Sequence, residues 1–388
     1  MSHRHSDVLD ALLSADPAPG MWTVASALRT QLDAVGGRVI LAGAGVLGMA
    51  TLKAARKAGL IPVAFTDNNA ARSGTDVSGV PILTPSEAVR TYMHDAVFVI
   101  TVYTSESLWA QFRQLGVEPV SFTRLAWTFP DAFLPYYGVD DPRIIPGAAD
   151  EIRRVFGFWD DEASRVEYLA QLKWRTTLEP EVLGGYSPAV DTLFAPDLIA
   201  LNDHESFVDC GAFDGDTVTQ FLGRTQGRFQ SVTAFEPDSV NFAKLEKLVA
   251  KIPGTLPSNV HLFPKALGSE PGRIRFDNTG TVESSVGGGE GEIDVVTLDQ
   301  VAEAYAPTFL KMDIEGAEPQ AIRGAARLIR RHQPIMAICL YHATQHLWEI
   351  PLLIKELVPG YSLYLRRYSN DCWEQICYAI PPGRSIAS

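Results

Sequence analysis

Two stretches of the chain put carboxylates at the ends of apolar runs, where a folded chain can aim them into one crevice. In "FVDCGAFDGDT", residues 207–217, Phe207 and Val208 run into Asp209, and a turn with Gly211 and Gly215 opens a helix. Such a strand–turn–helix points backbone N–H groups at whatever lies off the helix N-terminus. In "SVTAFEP", Glu236 ends the next apolar run, 27 residues after Asp209. An acid at that place accepts hydrogen bonds from both hydroxyls of a ribose. Asp209 would then reach the amino group of a methionine moiety. Gly211 and Gly215 would let the backbone approach closely, with Phe213 and Asp214 completing the turn. The plainer role for Asp209 and Asp214 is to cap the turn and the helix.

Two further apolar runs end in reactive groups, "FLKM" in Asp313 and "MAICLY" in His342. In an open parallel sheet the tips of neighbouring strands border one crevice, so both are expected beside Asp209. Together "VDCGAFDGDT", "AFEP", "TLD", "LKMDIEGAE" and "YHATQHLWEIP" resemble the FkbM family of S-adenosylmethionine-dependent methyltransferases, over about residues 205–382. That resemblance implies a class I methyltransferase fold, S-adenosylmethionine as methyl donor, and O-methylation of hydroxyls in sugars or natural products. Phe213 departs from the general methyltransferase turn, where a middle glycine is common. Its side chain narrows the pocket beside the methionine part and leaves the backbone donors in place.

Methyl transfer to a hydroxyl needs an aligned acceptor and the loss of its proton. His342 has a reference pKa suited to a base. Three roles are open to Asp313: base, orienter of His342, or ligand of a divalent metal that acidifies the hydroxyl. Glu315 and Glu318 read as first-turn carboxylates that complement a helix dipole. Lys311 reads as the partner of a neighbouring carboxylate and Trp348 as core or pocket wall. His346, four residues after His342, is a weak metal signal without a third ligand.

A second glycine turn lies earlier, in "ILAGAGVLGMA". Gly43, Gly45 and Gly48 fit G-x-G-x-x-G between a strand and a helix, and Asp67 ends the next strand, 22 residues after Gly45. The spacing suits a diphosphate at the helix start and a ribose on Asp67, so a nucleotide or nucleotide-sugar is the expected ligand. No Tyr-x-x-x-Lys pair follows within residues 39–145, which leaves short-chain dehydrogenase chemistry without its usual base. "DNNAARSGTDVSGVPIL" resembles the nucleotide-sugar-binding Rossmann domains that precede some sugar acyltransferases. A scaffold that keeps its glycine turn is the alternative.

The elements that must position these residues alternate strand and helix from Arg38 to about residue 122, and again from residue 205. This predicts an α/β protein with two Rossmann-like doubly wound domains, the second a seven-stranded class I methyltransferase sheet. The expected domains are 1–126, nucleotide-binding, and 205–388, the methyltransferase. An aromatic, helical connector over 127–204 joins them. "NVHLFPKAL" reads as one strand, and a hairpin-like pair flanks "TGTVESSVGGGEG".

Of the 388 residues, 46% are hydrophobic and 20% charged, which suits globular domains with sizeable cores. A formal net charge of −13 disfavours a nucleic-acid partner. So does "DIEG", which stands where amino-directed DNA methyltransferases carry Asn/Asp-Pro-Pro-aromatic. The N-terminus lacks the apolar core of a signal peptide, and no stretch approaches the ~20 apolar residues of a membrane span. The four cysteines follow no zinc spacing and read as core thiols. A cytoplasmic protein with a small-molecule or sugar substrate is expected, and a homo-oligomer is compatible with it. The rival readings are a non-catalytic two-pocket scaffold and a bifunctional enzyme with nicotinamide chemistry in the first domain.

Overall fold

The computed structural model describes residues 3–103, 106–136, 138–186, 192–252, 256–276, 291–369 and 371–384. Among these, the chain divides into two compact units. The first comprises Met1–Ala149, Leu169–Gly185 and Ser369–Trp373; the second comprises Asp150–Tyr168, Tyr186–Tyr368 and Glu374–Ser388. The stretch 127–204 is divided between them, with 127–149 and 169–185 in the first unit and 150–168 and 186–204 in the second. No helix among the described residues is long and apolar enough to cross a membrane.

In the first unit the strands are β1 (Arg38–Ala42), β2 (Ile61–Thr66), β3 (Asp76–Val77), β4 (Val80–Leu83), β5 (Val97–Ile100) and β6 (Val120–Ser121). Among the described residues they form a six-stranded sheet in the order β3-β4-β2-β1-β5-β6. All pairs are parallel except β3 with β4. Strands buried on both faces read as continuous apolar runs, and "RVILA" and "VFVI" do so. Ile40, Ala42, Phe98 and Phe112 fill one face. The helix Pro85–Tyr92 starts on a Thr84/Glu87 capping box with proline in its first turn, which fixes its entry after β4.

The second unit holds β7 (Ser206–Cys210), β8 (Ser231–Phe235), β9 (Val260–Phe263), β10 (Ala266–Leu267), β11 (Gly272–Phe276), β12 (Gly291–Val296), β13 (Phe309–Met312), β14 (Ile335–Cys339), β15 (Ser362–Arg367) and β16 (Gln375–Ile380). Among the described residues, a seven-stranded sheet runs β15-β16-β14-β13-β7-β8-β9, with β16 antiparallel to both neighbours. The strand order reverses between β7 and β13, so a crevice opens beyond their C-terminal ends. Phe194, Phe207, Phe221 and Phe309 pack beneath it. A three-stranded sheet, β10-β12-β11, stands apart. "NVHLFPKAL", expected as one strand, is split between these two sheets. Pro264 has no N–H to give a ladder, and β9 stops just before it. The loop between β11 and β12 lies outside the described residues.

Residues 150–168 close the β15 edge of this sheet. Trp159 bridges Leu363 in parallel fashion, Asp160 N–H donates to Leu363 O at 3.0 Å, and Asp160 Oδ2 accepts from Leu363 N–H at 3.0 Å. Ser164 Oγ accepts from Leu365 N–H at 2.8 Å. Beside them Arg366 pairs with Asp161 at 2.6 Å and the buried Arg367 with Glu167 at 2.9 Å.

Candidate active site

β7 ends in Asp209, and the register pairs it directly with Lys311 of β13. The Asp209 carboxylate is fully enclosed and lies 3.0 Å from Lys311 Nζ, which also donates to the Gly211 carbonyl at 2.5 Å. Burial pushes the Asp209 pKa up to about 6, against the pull of Lys311. Burial also works against the charge on Lys311, but Asp209 and Asp313 outweigh it and hold its pKa above the ordinary value. At neutral pH the two form a buried ion pair. Asp209, expected to meet a methionine amino group, is paired with Lys311, which also holds the glycine turn.

The turn itself is shaped by the chain. Gly211 has φ +84°, and a Cβ there would sit 1.9 Å from the Asp313 carbonyl oxygen. Gly215 has φ +94°, and a Cβ there would sit 2.6 Å from Leu248 Cδ2. Between them Phe213 adopts φ +47°, the left-handed conformation that makes glycine common at this point. Its N–H donates to Glu236 Oε2 at 2.8 Å, and the Lys244 ammonium lies 5.4 Å from its ring centroid. Asp214 is half-buried beside it. The other Glu236 oxygen accepts from Asp238 N–H at 2.8 Å, at the entry to the helix Ser239–Val249. Burial raises the Glu236 pKa to about 7, against those two backbone donors. Each carboxylate oxygen has a further lone pair to offer a hydroxyl.

Across the crevice, β13 and β14 bring together Asp313, Glu315, Glu318, Tyr341 and His342. His342 Nε2 lies 3.3 Å from Asp313 Oδ1 and 3.7 Å from Glu315 Oε2. Its Nδ1 lies 2.9 Å from Glu318 Oε1, in a side chain with no exposure. Tyr341 donates its hydroxyl to Asp313 Oδ1 at 2.9 Å. The His342 side chain is only 1% exposed, whereas Asp313 and Glu315 are 31% and 26% exposed. Burial works against a charged His342 ring, but Glu318 and Asp313 outweigh it and hold its pKa well above the ordinary value. Burial opposes the Asp313 charge as well, and His342 and Lys311 carry its pKa below the carboxylate range. His342 is thus enclosed behind the crevice, and the more exposed Asp313 stands in front of it.

Glu318 and Tyr341 were not foreseen as site residues. Glu318 starts the helix Glu318–Arg323, whose Ala321 and Ile322 are buried. Its i+3 and i+4 neighbours therefore placed it on the inner face, a signal that outweighs a dipole role. It accepts from Ile314 N–H at 2.9 Å, and its other oxygen lies 3.6 Å from His346 Nδ1. Among the described residues, single ligand atoms of Asp313, Glu315 and His342 all lie within 4.8 Å of one another.

In the first unit, Gly43, Gly45 and Gly48 surround the start of the helix Val46–Lys57. Gly43 has φ +121°, and a Cβ there would strike Val102 Cγ1 at 2.4 Å. A Cβ on Gly48 would lie 2.0 Å from the Gly43 carbonyl oxygen. A Cβ on Gly45 would meet nothing. Asp67 is held by Arg72 at 2.7 Å, and the same guanidinium donates to the Ala44 carbonyl at 3.0 Å.

The seven-stranded order, with one antiparallel strand beside the edge, is a class I methyltransferase fold. Residues 209–367 match the family model of the methyltransferase FkbM domain, which supports S-adenosylmethionine-dependent methyl transfer in general. Among solved structures the chain is similar to the methyltransferase FkbM of Methylobacillus flagellatus KT. The two are 24% identical, with 94% of this chain and 100% of that one covered and a TM-score of 0.75, so they share a fold. Weaker likenesses are to a precorrin-6y C5,15-methyltransferase of Geobacter metallireducens GS-15 and to Aeropyrum pernix fibrillarin with natively bound S-adenosyl-L-methionine. The first is 13% identical over 50% of this chain and 94% of that one, with a TM-score of 0.30. The second is 12% identical over 49% and 73%, with a TM-score of 0.31. No curated protein matches the chain.

Proposed function

We propose that the protein moves a methyl group from S-adenosylmethionine to a hydroxyl of a small molecule, a sugar, a nucleotide-sugar or a glycan precursor. The observation that carries this reading is the tie between Glu236 and the Phe213 N–H, which locks a ribose-type acid to the glycine turn beside Asp313. The donor fits: Glu236 keeps lone pairs for two ribose hydroxyls, and Lys311 holds the Gly211–Gly215 turn open for the methionine part. S-adenosylmethionine supplies a methyl group on a sulfonium sulfur. The acceptor oxygen bonds that carbon as the C–S bond breaks, the electron pair stays on sulfur, and the hydroxyl proton leaves to water. Asp313 accepts a hydrogen bond from the hydroxyl and aligns it; His342, enclosed behind it, is a positioning residue. Alignment of this kind supplies a large part of such a barrier.

The test is incubation of the full chain with isotope-labelled S-adenosylmethionine and a panel of hydroxylated sugars and nucleotide-sugars. The expected product is an acceptor carrying one labelled methyl on oxygen. Label found on nitrogen or carbon, or on no acceptor while S-adenosylhomocysteine binds, would sink the reading. In the same reading the first unit takes a nucleotide, the nucleotide end of the acceptor or of a regulator. Gly45 favours this, since no packing demands glycine there. Thermal shifts with nucleotide-sugars and NAD(P), up to about 1 mM, test it; no response from the folded chain returns the unit to a scaffold role.

A further inference from the structure

We propose that Asp313, Glu315 and His342 hold a divalent transition-metal cation, and that the acceptor is one with two neighbouring oxygens able to reach it. The inference rests on the reading of this crevice as the acceptor site.

Three features carry it. The first is ligand geometry. Two donors about 2.1 Å from a metal and at right angles lie about 3.0 Å apart, and about 3.4 Å apart in a tetrahedral site. The distances from His342 Nε2, 3.3 Å to Asp313 and 3.7 Å to Glu315, match that spacing within a few tenths of an ångström. The second is the support behind the ring. Glu318, fully buried, faces Nδ1 at 2.9 Å, the outer carboxylate that fixes the tautomer and aims the other nitrogen of a metal-bound histidine. Tyr341 likewise fixes the Asp313 carboxylate from behind.

The third feature is the direction in which the set opens. The histidine is enclosed, but both carboxylates are partly exposed, so three protein donors occupy one side and the crevice side stays open to added ligands. Asp313 also sits hard against the Gly211 turn, since a Cβ on Gly211 would lie 1.9 Å from its carbonyl oxygen. An oxygen bound on the open side would therefore lie next to the turn assigned to the methyl donor. A set of one imidazole and two carboxylates suits Mn²⁺, Fe²⁺ or Zn²⁺ better than Mg²⁺, which prefers oxygen throughout. In a six-coordinate site, three donors leave neighbouring positions open on that side, which favours an acceptor that chelates, such as a vicinal diol of a sugar, over an isolated hydroxyl. The cation would polarise the reacting hydroxyl, and the released proton would go to water.

The experiment titrates Mn²⁺ into the EDTA-treated full chain and reads free Mn²⁺ by electron paramagnetic resonance, with neither donor nor acceptor present. The proposal expects one tight Mn²⁺ per chain, weakened at least tenfold in both Glu315→Gln and His342→Ala. Glu315→Gln, at a partly exposed loop position, should keep S-adenosylhomocysteine affinity within twofold, which shows a folded protein. No binding of Mn²⁺ or Zn²⁺ below about 1 mM overturns the proposal, as does unchanged binding in Glu315→Gln. Methyl transfer that proceeds at full rate in EDTA overturns it too and leaves the methyltransferase reading standing. Binding of Mn²⁺ without transfer to any hydroxyl does the reverse. A diol acceptor outpacing its deoxy analogue at least tenfold in kcat/KM, only with Mn²⁺ present, supports the substrate class; equal rates for the two sink it.

Discussion

The two glycine turns share their framework almost bond for bond. Gly43 N–H donates to Thr66 O and Gly211 N–H to Phe235 O, each at 3.0 Å. Thr101 N–H donates to Ala42 O and Asp313 N–H to Cys210 O, again each at 3.0 Å. In both units the first glycine has positive φ because the tip of the neighbouring strand crowds it. The difference lies in what stands at that tip. Thr101 turns its hydroxyl back onto the Gly43 carbonyl at 2.8 Å. Asp313 instead leads outward to His342, Glu318 and Tyr341. In the proposed reading, the glycine turn holds a ligand, and the charged strand tip with its buried support aligns the acceptor.

That contrast is broken most directly at the two tips. Asp313→Asn should lower kcat by about 10²–10⁴ and leave S-adenosylhomocysteine affinity within twofold, because a group that aligns the acceptor hydroxyl acts on the transfer step and not on the donor. His342→Ala should fall in the same direction, and His342→Gln should recover part of the loss, as a positioning role requires. Thr101→Val should leave kcat within twofold. Single-turnover kinetics beside calorimetry separates these outcomes, and an unaffected Asp313→Asn removes the distinction between the tips.

Next in size is the buried ion pair of Lys311 with Asp209. Lys311→Met should cost about 3–5 kcal/mol of stability at pH 8, since it leaves the Asp209 charge enclosed and unpaired. The loss should shrink near pH 5, where Asp209, with a pKa of about 6 in the intact protein, is protonated. Urea melts at the two pH values check the size and the sign.

Glu236 gives a smaller and pH-dependent effect. Its folded pKa of about 7 exceeds that of an unfolded glutamate, so its contribution to stability is fully present below the unfolded pKa and lost as pH rises through 7. Ribose hydroxyls donate to the ionised form, so S-adenosylhomocysteine affinity should run the other way and rise about tenfold from pH 6 to pH 8. Glu236→Gln should flatten that slope, and Glu236→Ala should weaken binding by about 1.5–3 kcal/mol at pH 8. A slope that persists in the glutamine variant moves the titration elsewhere. The smallest effect belongs to Gly45→Ala, expected to change stability by less than about 0.5 kcal/mol, whereas Gly48→Ala should cost about 1–3 kcal/mol by crowding the Gly43 carbonyl. If Gly45→Ala also leaves nucleotide binding intact, the open space beside it is not a ligand's.

The sheets were legible because their strands are apolar runs bounded by glycine, proline and acids, a signal that buried parallel strands give strongly. Strand tips were legible for the same reason, and with them the places of Asp209, Glu236, Asp313 and His342 at or just past strand ends. What those tips face was not legible. Lys311 and Asp209 meet through the register of β13 on β7, a pairing between residues about a hundred positions apart. The carboxylate behind His342 comes from Glu318 on the following helix, and it raises the ring's pKa against the effect of burial. The split of residues 127–204 between two cores was equally hidden, since helical periodicity tells which face is buried and not against what.

The segment that docks on β15 has a consequence for handling the protein. A sheet edge with unpaired N–H and C=O groups is a template for joining another chain. Here Trp159, Asp160 and Ser164 occupy the backbone groups of Leu363 and Leu365, so the outermost strand is sealed by residues that precede the matched region by about fifty positions. A fragment begun at Ser206 would keep the whole seven-stranded sheet and the crevice but leave that strand bare, and it should self-associate on light scattering. One begun at Asp150 should carry its own seal.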